Sequence, residues 1–137
     1  MHATDIAARL IGQGIRPSAQ RVAIAGYVLT TDEHPSADSV WRRVREQFPM
    51  VSRATVYNTL NLFAERGLVR ELTLAPGCSV FDANTAPHHH FVDDADGSIH
   101  DVPWESVAVS HIDRLRDYDV REFSVVMRGR RRGPDPG

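Results

Sequence analysis

The first 67 residues are punctuated by helix-starting and helix-stopping residues, and this limits that half of the chain to a bundle of short helices. Ile6, Ala7, Leu10 and Ile11 recur at helical spacing until Gly12 and Gly14 interrupt them. Pro17 and Ser18 open a second helix with Val22, Ile24, Ala25, Val28 and Leu29 as its apolar face, ending near Thr30. Ser36-Ala37-Asp38-Ser39 caps a third, which carries Val40, Trp41, Val44 and Phe48 up to Pro49. Ser52 caps a fourth, with Val56, Leu60, Phe63 and Ala64 inward and Gly67 as its stop.

Residues 68–74 and 79–82 then alternate as two strands across Ala75-Pro76-Gly77-Cys78, a turn built on Pro-Gly. Helices followed by a hairpin describe a winged helix-turn-helix. Residues 84–87 form a polar connector with the character of a hinge. Beyond it, strand-like patterns cover 88–93 and 98–104, a helical pattern covers 110–118, and a further strand covers 121–128. The expected organisation is an α+β chain: a winged-helix domain over residues 1–83, a hinge at 84–87, a second domain at 88–128 and a disordered basic tail at 129–137.

No run of eighteen apolar residues occurs, and the N-terminus lacks a basic-then-apolar leader, so a cytoplasmic protein with no membrane contact is expected. Cys78 is the single cysteine, which excludes an intrachain disulfide and any zinc site assembled from several thiolates of one chain. The net charge of -2 hides an uneven distribution. All bases are arginine, and Arg16, Arg21, Arg42, Arg43, Arg45 and Arg53 cluster in the helical half, whereas Asp93, Asp94, Asp96 and Asp101 crowd the other. A local basic face suffices for phosphate binding.

Ser52-Arg53-Ala54-Thr55-Val56-Tyr57-Asn58-Thr59 concentrates hydroxyl, guanidinium and amide groups on the first turns of the fourth helix, and no acid occurs from Val51 through Leu62. Arginine donates bidentately to guanine, asparagine pairs with adenine, and tyrosine or threonine reaches phosphate or a thymine methyl. Ser52, Arg53, Thr55, Tyr57 and Asn58 are therefore candidate DNA contacts, with Arg16, Gln20 and Arg21 as phosphate contacts from the preceding helix.

His88-His89-His90 and His100-Asp101 carry the other chemistry. On a strand His88 and His90 share one face and His89 takes the other. Asp94-Ala95-Asp96-Gly97 is a hairpin turn; centred between Ala95 and Asp96 it sets His90 opposite Asp101, and centred on Asp96-Gly97 it sets them diagonally. Either way Asp101 joins the His88 and His90 face. Such a polar cluster calls for a bound cation or for solvent. Asp82 and His34 complete a shell of three nitrogens and two carboxylates if the two domains fold toward each other, a donor set suited to Fe(2+) or Mn(2+) more than to structural zinc. His89 and His100, with Asp93 or Glu122, are a weaker second cluster.

These residues carry a resemblance. Gly14-Ile15-Arg16 with Gln20-Arg21, His34-Pro35-Ser36-Ala37-Asp38, Ser52 through Leu60, Gly67-Leu68-Val69, Phe81-Asp82 and His88-His89-His90 occur in the order found in the ferric uptake regulator (Fur) family, and the chain is most similar to its peroxide-sensing PerR branch. The resemblance implies a homodimeric, metal-dependent repressor with a winged-helix N-terminal domain, an α/β dimerisation domain and a near-palindromic DNA operator. It places the regulatory metal on His34, Asp82, His88, His90 and Asp101, and the peroxide-driven oxidation on His34 and His88.

The family's structural zinc, held by two Cys-x-x-Cys pairs, has no counterpart: Asp93 and Asp96 stand at the first pair and residues 131–134 at the second. No structural zinc is expected, and dimer stability is assigned to apolar packing of Ile99, Val102, Trp104, Val107, Ile112, Leu115, Phe123, Val125 and Met127. The competing readings are an iron- or manganese-responsive repressor governed by occupancy alone, and a metalloenzyme, since His and Asp shells also support oxygen chemistry. No separate acid, base or substrate pocket favours an enzyme.

Overall fold

The computed structural model describes residues 2–133, which divide between Thr85 and Ala86 into two compact units. The N-terminal unit runs α1 (Ala3–Gly12), α2 (Ala19–Val28), α3 (Ala37–Val44), α4 (Arg53–Glu65), β1 (Arg70–Ala75) and β2 (Cys78–Asp82). Three of its helices begin on serines whose hydroxyls accept the backbone N–H three residues on: Ser18 from Arg21 at 3.2 Å, Ser36 from Ser39 at 3.2 Å and Ser52 from Thr55 at 3.0 Å. Each such cap contributes about 1 kcal/mol.

Glycines at positive φ stop α1 and α4. After α4, Gly67 (φ 75°) turns left-handed, its N–H donates to Ala64 and that of Leu68 to Phe63. Gly14 (φ 73°) does the same after α1, with Ile15 donating back to Leu10. Both are left-handed helix stops that an L side chain would strain.

Leu10, Ile24, Val28, Val40, Val56, Leu60 and Phe63 are almost wholly removed from solvent and form the core of this unit. Ile11, part of the apolar spacing of the first helix, is 64% exposed, because Ile6 and Leu10 make the buried stripe of α1. α3 ends at Val44 instead of reaching Phe48. Pro49 disfavours helical backbone at Phe48, and residues 45–47 loosen into a turn that Phe48 N–H closes on the Val44 carbonyl.

β1 and β2 pair antiparallel with Leu72 opposite Val80 and a bulge between Thr73 and Ala75. The Phe81 N–H donates to the Pro35 carbonyl at 2.9 Å, tying the wing to the loop before α3. This bond brings His34 and Asp82 side by side.

The C-terminal unit is a three-stranded sheet in the order β4 (Ile99–Val102), β3 (His89–Asp93), β5 (Val126–Gly129), antiparallel on one side of β3 and parallel on the other. The crossover before β5 holds only two single 3-10 turns, Trp104–Ser106 and Ile112–Arg114. The helix expected over 110–118 is not formed, and the strand expected from 121 starts at Val126. Isolated helices this short are marginal in water without a surface to pack on, and Leu115 and Tyr118 are 49% and 72% exposed.

The expected disorder from residue 129 also needs correction. Gly129 closes β5 and accepts the Asp94 N–H at 2.8 Å, while the Arg131 guanidinium reaches Asp93 Oδ2 at 2.7 Å and Asp96 Oδ2 at 3.2 Å. Two carboxylates give the arginine a reason to stay. The end of the expected tail, residues 134–137, lies outside the described residues.

Candidate metal and DNA sites

Two sets of metal-type donors are built separately, one in each unit. In the N-terminal unit, His34 Nε2 lies 3.2 Å from Asp82 Oδ2, with side chains 6% and 8% exposed. Asp82 ends β2 and its Oδ1 accepts the Asn84 N–H at 2.9 Å, which fixes the carboxylate.

In the C-terminal unit the β3–β4 register sets His90 directly opposite Asp101, the turn being centred between Ala95 and Asp96. His88 Nε2 and His90 Nε2 lie 3.3 Å and 3.9 Å from the same atom, Asp101 Oδ1, and the two rings meet edge to face at 4.5 Å. His88 Nδ1 sits 2.6 Å from the Ala86 carbonyl. A carbonyl only accepts, so Nδ1 carries the proton, and a neutral His88 presents its Nε2 lone pair to the carboxylate. Two acceptors facing each other need a proton or a cation between them. A ring N–H anchored on a backbone carbonyl is also the arrangement that orients metal-binding imidazoles.

His89 is different in kind. Its Nδ1 accepts the Val125 N–H at 3.0 Å and its Nε2 donates to the Trp104 carbonyl at 3.2 Å, while the ring stacks on Trp104 at 4.7 Å. Both nitrogens are spent on backbone, and the side chain is fully buried. His100 Nε2 engages Ser98 Oγ at 2.7 Å and Asp93 is held by Arg131. The second cluster suggested by sequence is therefore not assembled. The pattern that separates His89 from its neighbours is the alternation of faces along β3.

Asp93 and Asp96 share Arg131, whose single positive charge offsets one of their two negative charges. The Arg131 hydrogen bond first, and the Ala95 N–H second, hold Asp93 below the usual carboxylate range. Asp96 is lowered mainly by Ser98, and Arg131 is raised by Asp93. A dication there would meet a guanidinium already engaged with both carboxylates.

Gln20, Arg21, Thr55 and Asn58, with Ser18 and Thr59, line one groove between the start of α2 and α4. Arg21 also donates to the Arg16 carbonyl at 2.8 Å. Tyr57 is 47% exposed on the same helix. Ser52 is occupied with capping, its Oγ bonding the Thr55 N–H and lying 2.9 Å from Thr55 Oγ1. Arg53 does not project freely: it lies over the Trp41 ring and beside Asp38. Sequence reading missed Trp41 and Asp38 in this role, although the four-residue step from Trp41 to Arg45 on one helix was visible.

Comparison with known proteins gives one consistent answer. Residues 12–128 match the ferric uptake regulator family model. A peroxide-responsive repressor PerR of Staphylococcus aureus is 36% identical over 120 residues, spanning 85% of this chain and 80% of that protein. The solved PerR of Streptococcus pyogenes, described in terms of peroxide sensing and gene regulation, is 30% identical with a TM-score of 0.53, covering 93% of this chain and 89% of that one. The Pseudomonas aeruginosa ferric uptake regulator solved with manganese shares the fold, with a TM-score of 0.67 at 24% identity over 92% of this chain and 97% of the other. With residues 12–128 matched and the PerR relatives covering most of its length, this chain belongs to the ferric uptake regulator family.

Proposed function

We propose that the chain is a cytoplasmic, homodimeric transcriptional repressor, not an enzyme, whose grip on a near-palindromic DNA operator depends on one Fe(2+) or Mn(2+) ion held by His34, Asp82, His88, His90 and Asp101. One observation carries the reading: each unit separately pairs imidazole nitrogen with carboxylate oxygen, His34 with Asp82 and His88 and His90 with Asp101. A donor set of nitrogen and oxygen without sulfur suits ferrous or manganous ion. Joining the two pairs with one cation couples metal occupancy to the orientation of α4, so metal selects the DNA-binding arrangement.

A ferrous ion held by these five residues would supply redox chemistry toward hydrogen peroxide: one peroxide oxygen would be inserted into a C–H bond of the His34 or His88 ring, the other would leave as water, and the oxidised imidazole would be a poorer donor. Loss of either ligand would weaken the link and lower operator affinity. Homodimer formation is supported by the C-terminal unit itself, whose apolar crossover stays open to solvent in the single chain: Leu115, Val120 and Phe123 are 49%, 41% and 37% exposed. The engagement of Asp93 and Asp96 by Arg131 supports a dimer without a structural zinc.

The test starts from a random duplex pool selected with the manganese-loaded protein. A near-palindromic sequence should be enriched, and the iron-loaded protein should release it after peroxide with one oxygen atom gained on His34 or His88. Failure to enrich any sequence sinks the repressor reading. Release by chelator but not by peroxide, with both histidines chemically intact, replaces peroxide sensing by control through metal occupancy.

A further inference from the structure

Trp41 lies on α3, half-buried, and its indole N–H donates to the Val51 carbonyl at 3.1 Å. Val51 precedes the cap of α4, so this bond fixes the ring against the entrance to that helix. Two guanidiniums lie over the indole: Arg53, the first residue of α4, at 4.3 Å from the ring centroid, and Arg45, the C-cap of α3, at 4.6 Å. Arg53 Nε is also 3.6 Å from Asp38 Oδ1, with side chains 58% and 46% exposed.

An ion pair this open to water adds little to folding. Its position is the informative part. Cation–π contact restricts an arginine that would otherwise lose its freedom only on binding, and so lowers the cost of seating it on a ligand. Asp38 sets an anionic oxygen 3.6 Å from the same guanidinium, within ion-pair range but looser than a direct hydrogen bond, so a phosphate can displace it.

We propose that Trp41 is a positioning residue for DNA recognition, and that Asp38 is an internal substitute for the DNA phosphate that Arg53 engages. The proposal rests on α4 being the DNA-contacting helix. On duplexes where α4 is not seated, Arg53 stays with Asp38 and contributes no phosphate contact. When the operator seats the helix, a backbone phosphate replaces the carboxylate. Selectivity rises because the exchange is withheld from non-operator DNA, a difference of affinities and not an added attraction.

The experiment uses the manganese-loaded full chain, the selected operator duplex and a scrambled duplex, each titrated across a range of salt. Asp38→Asn should tighten scrambled DNA by roughly three- to tenfold and steepen its log-log salt dependence by about one, with a smaller gain on the operator. Trp41→Leu should weaken the operator by about two- to fivefold, and Trp41→Phe, which keeps an aromatic face, should recover most of that. Asp38→Asn with unchanged scrambled affinity and salt slope overturns the role of Asp38. Trp41→Phe as damaging as Trp41→Leu, with both folded by circular dichroism, overturns the role of the ring. Arg53→Ala read beside Tyr57→Ala separates the two levels: if both leave operator affinity unchanged, the reading of α4 itself fails, whereas a loss in Tyr57→Ala beside silent Arg53, Asp38 and Trp41 variants rejects only this proposal.

Discussion

Arg131 Nε and Asp93 Oδ2 meet at 2.7 Å across 38 residues of chain, fastening the segment after β5 to the turn between β3 and β4. The same guanidinium reaches Asp96 at 3.2 Å. Both carboxylates are held below their ordinary range, so the unfolded chain binds protons more readily than the folded one. The linkage sign follows: this stability is complete above the unfolded carboxylate pKa and is lost as pH falls through the folded one. Arg131→Ala should lower the melting temperature at neutral pH and leave a flatter acid limb, as read by thermal melts from neutral to acidic pH. Parallel acid limbs for the two proteins would reject the fork as their source.

His89 is a structural histidine between two candidate ligands. Replacing it with Phe leaves the half-buried Val125 N–H without its acceptor, at a cost of about 1 kcal/mol. Manganese stoichiometry should stay unchanged, whereas His90→Ala or Asp101→Ala should lower manganese affinity. Calorimetry and denaturant unfolding on the same three variants separate the roles, and loss of manganese stoichiometry in His89→Phe would move it into the shell.

On α4, Tyr57→Ala and Asn58→Ala should each weaken operator binding by roughly five- to a hundredfold, a loss of ~1–3 kcal/mol, while manganese uptake is retained. Fluorescence anisotropy on the selected duplex checks this. Unchanged operator affinity in both would mean that another surface reads the DNA.

Elemental analysis of purified protein carrying Ala at His34, Asp82, His88, His90 and Asp101 should find no tightly held zinc. One zinc per chain in that variant would contradict the assignment of Asp93 and Asp96 to Arg131.

Phe63 lies at the centre of the N-terminal core, fully buried. Phe63→Ala should cost about 3–5 kcal/mol, and Ser52→Ala about 1 kcal/mol by removing a helix cap. Chemical denaturation measures both, and a Ser52→Ala loss as large as that of Phe63→Ala would show that the serine does more than cap.

The helices of the N-terminal unit were legible because their determinants are local: Ser18, Ser36 and Ser52 start them, and Gly14 and Gly67 stop α1 and α4. The pairing of His90 with Asp101 followed from alternation and turn length, and the structure selects one of the two registers. What escaped depends on distant partners. Arg131 reads as tail until its carboxylates are found 35 and 38 residues away. The pattern over 110–118 has helical spacing, yet Leu115 and Tyr118 stay exposed, so periodicity without burial misleads. Arg53 reads as an exposed helix-end arginine because neither Trp41 nor Asp38 is its neighbour in sequence.

The Arg131 fork joins two strand ends without any sulfur. Thiolates climb an oxidation ladder that carboxylate and guanidinium do not enter, and an ion pair between side chains offers nothing to a chelator. The closure of this small sheet therefore yields to acid and stands indifferent to oxidants.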